Sequence, residues 1–268
     1  MTDERVARAV ANLAAATDLT VAARCLKDIG AAIGATAPSV VDDYAADRLL
    51  TVEDGTALAA VLGWDEVFPR IWLEEKLYLV SPIGAVCRAT TRPFVWRADA
   101  VAQTLQAGRP RQTITWRLTP EFGIHGGITV PVHLPHARTG SVGWMARSPE
   151  VDLARALDQH EDQLRLAAYR FMDLVYARRS DPAAPMQAVA PLNEREVECL
   201  SWAGLGRTDI EIGAIIHRSP ATARFHIDNA ISKLGARNRT QAVAIAAQLG
   251  LIQPFDDRRK PPENSRNR

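Results

Sequence analysis

LNEREVECLSWAGLGRTDIEIGAIIHRSPATARFHIDNAISKLGARNRTQAVAIAAQLGLI, residues Leu192 to Ile252, is the stretch that decides the architecture of this chain. Asn193 stands before Glu194, Arg195 and Glu196, so an amide side chain caps a helix whose first turn carries acids. Val197, Leu200 and Trp202 give that helix a buried face, and Gly204 or Gly206 ends it. Thr208 with Glu211 three residues later reads as a capping box, with Ile212, Ile215 and Ile216 behind it. His217-Arg218-Ser219 then turns the chain. Ser219-Pro220 opens a third helix to Leu234, with Ala223, Ile227, Ala230, Ile231 and Leu234 on its buried side, and a fourth runs from Thr240 to Leu249 and stops at Gly250. A short helix, a tight turn and a helix opened by Ser-Pro is the outline of a helix-turn-helix, whose second element enters the DNA major groove.

Assigning burial leaves Thr222, Arg224, Phe225, Asp228 and Asn229 projecting from the third helix, with Lys233, Arg237 and Arg239 towards its C-terminal end. Cations grouped there suit phosphates, while Arg224 and its neighbours reach base edges. The formal net charge of the 268 residues is only +1, so a nucleic-acid partner is argued from this local placement alone. A solvated, charged helix face is the competing account.

Upstream, ARRSDPAAPMQAVAP, residues 177–191, breaks the helical period with Pro182, Pro185 and Pro191 and reads as a linker. Ser148-Pro149-Glu150 resembles a helix start, Ser148 as cap and Pro149 in the first turn, leading a long helix with Val151, Leu153, Leu157, Leu164, Ala167, Phe171, Leu174 and Val175 at apolar spacing. Core packing is the expected use of that stripe, and a partner interface the alternative. The runs 127–133 and 141–146 are β-prone and joined by turn residues, which predicts a hairpin. Residues 4–16 and 20–33 carry helical spacing and 37–41 a first strand, so residues 1–176 read as an α+β domain. The tail 254–268 has too few apolar groups to pack and is expected to be mobile.

Cys25, Cys87 and Cys199 are far apart, with no paired spacing and no neighbouring histidine, which argues against a disulfide framework or a zinc site. The first twenty residues include Asp3, Glu4 and Asp18 and lack a signal-peptide pattern, and no later run is long enough to span a membrane, so a cytoplasmic protein without a membrane partner is expected.

The C-terminal stretch resembles the LuxR-type DNA-binding domain over its whole length, through L-x-x-R-E-x-x-x-L, G-R-T-x-x-E-I, S-x-x-T-x-x-x-H and K-L-x-x-x-N-R-x-Q-A. The resemblance implies an all-α four-helix helix-turn-helix at 192–253 that binds an inverted-repeat operator in double-stranded DNA as a homodimer, with RNA polymerase as a further partner. It places Arg224, Phe225 and Asp228 towards bases, and Ser219, Thr222, Lys233 and Arg239 towards the backbone. Asp228 departs from relatives, where a cation is frequent; an acid there accepts from a cytosine amino group.

The first domain resembles the autoinducer-binding domain of quorum-sensing LuxR regulators over residues 34–177, through Trp72, Pro82, Pro93-Phe94-Val95-Trp96, Phe122-Gly123 and Gly127-Ile128-Thr129-Val130-Pro131-Val132. That likeness implies an α-β-α sandwich holding a small hydrophobic signal, such as an acyl-homoserine lactone or a variant of it, between sheet and helices. Trp72, Tyr78, Ser81, Phe94, Trp96, Trp116, Gly127 and Thr129 are its expected wall. Ser81 stands where lactone-binding relatives carry an aspartate that accepts the ligand amide hydrogen, and a hydroxyl accepts more weakly than a carboxylate. An orphan regulator with its pocket filled by its own side chains is therefore the alternative. An enzyme using His125, His133 or His136 is a third reading, without a nucleophile or metal spacing to support it. No cofactor and no catalytic residue are expected.

Overall fold

The structure, a computed structural model, describes residues 2–98, 122–179 and 192–253. Trp116, most of the expected linker and the expected mobile tail lie outside the described residues. The chain divides into two compact units, one carrying a sheet and its covering helices, the other the C-terminal helices.

In the first unit α1 (Thr2–Ala14) and α2 (Leu19–Ile33) pack as a pair. Asp18 caps α2 by accepting from the Val21 N–H, and Gly34 ends it in the left-handed region at φ 77°. Then come β1 (Ala37–Val41), four short helices α3 (Leu58–Leu62), α4 (Val67–Glu74), α5 (Leu77–Val80) and α6 (Pro82–Ala89), strands β2 (Phe94–Arg97), β3 (Gly126–Leu134) and β4 (Arg138–Ala146), and α7 (Leu153–Arg179). The four strands form an antiparallel sheet in the order β1-β4-β3-β2. The predicted hairpin is β3–β4.

Alternation along the strands sends the two sets of side chains to different helical layers. Ile128, Val130, Val142 and Trp144 are fully buried on the face against α2 and α7. The Trp144 Nε1–H donates to the Leu26 carbonyl at 2.9 Å, satisfying the only polar atom of that ring. Glycines let the layers close: a Cβ at Gly140 would lie 2.5 Å from the Val41 carbonyl oxygen and 2.6 Å from the Met172 methyl. The opposite face, with Ser39, Thr129, Ser141, Met145 and Trp96, looks towards α3, α4 and α6, completing the α-β-α layering.

Two sequence expectations move. Ser148-Pro149 does not start α7; Ser148 accepts from the Glu150 N–H in a local turn, and Asp152, accepting from the Arg155 N–H at 3.0 Å, caps a helix that begins at Leu153. Proline fits a turn as well as a first helical turn, and the carboxylate further on is the better placed cap. At its other end α7 continues to Arg179, past the expected boundary at 176. Within it His160 leaves helical geometry, with φ −129°, so that two helical segments join across a kink.

In the second unit the helices are α8 (Glu194–Gly204), α9 (Asp209–Ile215), α10 (Pro220–Lys233) and α11 (Arg239–Gln248). The expected capping box of Thr208 with Glu211 is present, the expected cap Asn193 forms a second box with Glu196, and Ser219 and Asn238 cap α10 and α11. The α9–α10 turn is a Schellman motif in which the Arg218 N–H reaches the Gly213 carbonyl at 2.8 Å, with His217 at φ 54° where glycine is usual. Gly213 lets the turn lie this close: a Cβ there would stand 2.9 Å from the Arg218 carbonyl oxygen and 3.0 Å from the Pro220 nitrogen.

Candidate functional site

One face of α10 is buried twice over. Ala223 and Ile227 pack with Cys199, Ile212 and Ile216, and Ala230 and Leu234 with Leu200, Ala242 and Ala246. The side left over presents Arg224, Phe225 and Asp228 to solvent, with Phe225 59% exposed. Arg224 Nε lies 3.7 Å from Asp228 Oδ2, one helical turn on, so the guanidinium and carboxylate share a direction. At the helix start Ser219 accepts from the Thr222 N–H, and the two hydroxyls lie 2.8 Å apart.

The cations expected to face phosphates do not share one environment. Arg237 is exposed. Lys233 instead donates to Glu196 at 2.8 Å, tying the end of α10 to the start of α8. The Arg239 guanidinium bonds the Asp209 carboxylate and the Arg207 carbonyl, tying α11 to the start of α9. Lys233 and Arg239 thus brace the unit, a role invisible to local charge pattern because each partner lies 30 or more residues away. Sequence reasoning also passed over Arg218, exposed immediately before the Ser219 cap and beside the same helix terminus.

Burial alone would push the Glu196 carboxyl up, but the Lys233 hydrogen bond, the Asn193 backbone N–H and the charges of Lys233 and His226 outweigh it and hold it below the ordinary value of 4.5. A depressed folded-state value means stabilisation present above the unfolded value and lost as pH falls through the folded one. Amide exchange in α8 and α10 of the full chain should therefore accelerate as pH drops below about 4.5, beyond the intrinsic pH dependence of exchange, and Glu196→Gln should flatten that response. An unchanged acid response in the variant would remove Glu196 as its source.

The second candidate site is a cavity of about 140 Å³ between the sheet and the α3–α6 layer. Its apolar wall is built on an aromatic chain, with ring centroids 5.1 Å apart for Trp64 and Phe68, 6.1 Å for Phe68 and Trp72, and 5.1 Å for Phe68 and Phe122. Its sheet side carries hydroxyls. Trp96 Nε1–H donates to Thr129 Oγ1 at 3.1 Å, and Tyr44 Oη pairs with Ser141 Oγ at 2.8 Å. Burial, followed by the influence of Cys87, drives the Tyr44 phenol well above its usual range, and burial pushes the Cys87 thiol to about 11, so both groups stay neutral.

Of the expected wall, Trp72, Ser81, Trp96 and Thr129 do line the cavity. Tyr78, Phe94 and Gly127 do not. Tyr78 is buried in α5 away from the wall, and Phe94 packs against the core of the unit although it stands in register with Thr129. Gly127 acts at one remove: a Cβ there would lie 3.0 Å from the Trp96 ring, so its absence makes room for that indole. Tyr44, Ser39, Ser141, Trp64 and the Asp42–Arg48 pair were missed. The run Asp42-Asp43-Tyr44 carried no pattern that would have found them. His133, one of the enzyme candidates, has Nε2 3.0 Å from the Cys87 carbonyl and 3.2 Å from that of Thr90, which gives it a tethering role between β3 and α6. His125 and His136 are exposed, and among the described residues no His/Cys/Asp/Glu group is placed to hold a metal ion. No described helix is long and apolar enough to cross a membrane.

Comparison with known proteins follows the same division. Residues 33–174 match the autoinducer binding domain family, and residues 190–246 match the luxR family of bacterial regulatory proteins. The chain is 31% identical over 196 residues to the transcriptional activator protein AhyR of Aeromonas hydrophila, covering 69% of this chain and 72% of that one. It is 30% identical over 192 residues to the quorum sensing-dependent transcriptional regulator RpaR of Rhodopseudomonas palustris, covering 71% and 74%. Among solved structures, SdiA in complex with octanoyl-rac-glycerol superposes with a TM-score of 0.54 at 16% identity, over 92% of this chain and 96% of that one, a likeness of fold.

Proposed function

Because the chain belongs to the LuxR family of transcriptional regulators that carry an autoinducer binding domain, we propose that occupation of its cavity by a small apolar signal controls how a homodimer engages an inverted-repeat DNA operator through α10. The observation that carries the DNA half is the division of α10 into one face buried along its length and one face presenting Arg224, Phe225 and Asp228. Arg224 takes a guanine edge, Phe225 a thymine methyl, and Asp228 both orients Arg224 and accepts from a cytosine amino group. Ser219, Thr222, Arg218 and Arg237 meet phosphates around the helix; Lys233 and Arg239 contribute there only with the charge their internal partners leave unneutralised. RNA polymerase is the partner through which a bound dimer acts on transcription, and the cytoplasm is where such a protein works.

For the sensing half, the cavity is open space between a hydroxyl-bearing sheet and an aromatic wall, which supports a ligand over a pocket filled by the chain's own side chains. SdiA, which shares the fold, is known in complex with an acylglycerol. Ligand binding to the folded state alone raises its stability with concentration. Replacing Arg224 with alanine should cost about 1–3 kcal/mol of operator binding and relax the base preference at one position. Arg237→Ala should weaken all sequences alike and flatten the salt dependence. Quantitative DNA binding across a set of single-base operator variants separates the two. An unchanged preference profile in Arg224→Ala would take the base-reading role away from that residue.

A further inference from the structure

Residues 42–57, between β1 and α3, meet the cavity at one end and the end of α7 at the other. Tyr44 donates its N–H to the Thr139 carbonyl at 2.9 Å, which fixes the start of the segment to β4. Arg48 and Leu50 then line the cavity on a stretch without helix or strand. Past Leu50 the backbone closes on itself. Leu58 N–H reaches the Leu50 carbonyl at 2.8 Å, Val52 N–H the Thr56 carbonyl at 2.8 Å, and Gly55 turns the tip at φ 88°. A tip closed by its own hydrogen bonds moves as one piece, while the irregular wall before it yields more readily.

The tip is gripped by α7. Arg178 Nη1 donates to the Thr51 carbonyl at 3.0 Å and stands 3.6 Å from Glu53 Oε1. The same carboxylate accepts from the Leu19 N–H at 2.9 Å, at the start of α2. Desolvation alone would push the Glu53 carboxyl up, but the Leu19 N–H, its own backbone and the Arg178 charge hold it below the ordinary value of 4.5, so at neutral pH it faces the guanidinium as a carboxylate. Leu50 and Thr51 are neighbours, so the cavity wall and the carbonyl that holds Arg178 are one peptide apart. Two positions earlier on α7, the Tyr176 ring lies 5.0 Å from the Arg138 guanidinium, and Arg138 begins β4, the strand that brings Ser141 to the cavity. The last turn of α7 is thus joined to two different parts of the wall. From that turn the chain runs on to α8 and the helices of the second unit. The Arg178 and Glu53 side chains are each 40% exposed, so their pairing adds little to folding. A ligand that displaces Leu50 alters the grip on Arg178 while the core stays as it is.

Resting on the sensing role proposed above, we propose that Arg178, through its hold on Thr51 and Glu53, is the positioning residue that couples a filled cavity to the last turn of α7 and thereby to operator affinity.

The test compares the full chain with Arg178→Ala, using octanoyl-rac-glycerol and N-octanoyl homoserine lactone as probes and a duplex operator selected from random-sequence DNA. The unaltered protein should bind at least one probe in titration calorimetry, and the bound probe should change operator affinity by about tenfold, in either direction. Arg178→Ala should bind the same probe to within about twofold, because Arg178 is not on the cavity wall, while the effect on the operator falls to about threefold or less. Arg170→Ala, at another exposed arginine of α7, should leave the effect whole. Glu53→Gln, which keeps an acceptor for the Leu19 N–H, should also reduce the effect, and adding it to Arg178→Ala should reduce it no further. An undiminished effect in Arg178→Ala, or additive losses in the double variant, overturns the coupling and leaves the sensing role intact. So does weakened probe binding by Arg178→Ala, which would make Arg178 a support of the cavity. Silence of both probes in calorimetry, or binding without effect on the operator, overturns the sensing role and this proposal with it. Should the alanine variant fail to fold, Glu53→Gln decides.

Discussion

Replacing Gly213 by valine should abolish operator binding and destabilise the C-terminal unit by about 3 kcal/mol, the upper part of the range for forcing extra atoms into a packed site. The reason lies in what the new atoms would meet. A Cβ at this position stands 2.9 Å from the Arg218 carbonyl oxygen and 3.0 Å from both the Pro220 nitrogen and the Ser219 carbonyl carbon. All three are backbone, so no rotamer change relieves the contact. Either α9 and the entry to α10 move apart, breaking the Arg218 N–H to Gly213 carbonyl bond, or the cores on either side of α10 loosen. A unit of this size has only about 3–9 kcal/mol to lose. Amide exchange across α8–α11 of the full chain, with DNA binding measured alongside, checks both parts. Valine at 213 with unaltered exchange and unaltered binding would mean that the turn is not packed as described. Gly213→Ala should fall between the two.

The second large effect belongs to the other unit. Trp144→Ala should cost about 3–5 kcal/mol there, as expected for truncating a fully buried aromatic ring. Trp144 is wholly buried in the layer between β4 and α2, and Gly30 lies so close that a Cβ on it would stand 3.1 Å from the indole. Removing the ring leaves a cavity and takes the donor from the Leu26 carbonyl. Denaturant unfolding should show a lowered midpoint for the transition of the first unit, with exchange in α8–α11 little changed. Equal loss in both units would mean that they unfold together.

The C-terminal helices were legible in the sequence because their limits are written locally. Asn193, Thr208 and Ser219 each cap within three residues of themselves, and the apolar spacing from Ala223 to Ala230 follows one helix face. The brace between Lys233 and Glu196 was not legible, since a lysine in the last turn of a helix reads the same whether it meets a phosphate or a carboxylate 37 positions earlier. The cavity shows the same limit more sharply. Trp96, Thr129, Trp72 and Ser81 were found through resemblance, but the Tyr44–Ser141 contact joins residues 97 apart and exists only once β1 and β4 pair. Phe94 shares its sheet face with Trp96 and Thr129 yet lies outside the lining, and Tyr78 is buried in α5, because aromatic character does not say how far along a layer a ring stands from the cavity. Ser148-Pro149 failed for a different reason: two local signals competed within five residues, and the aspartate prevailed.

The separation of the two sides of α10 bears on how such a protein changes over generations. Ala223, Ile227 and Ala230 hold the helix in place, and Lys233 and the Gly213 turn fix its ends, while Arg224, Phe225 and Asp228 take no part in that support. On the proposed base-reading role, substitutions at the three outward positions would change which operator is chosen with little penalty in folding, whereas substitutions at the inward positions would unseat the helix before they altered what it reads.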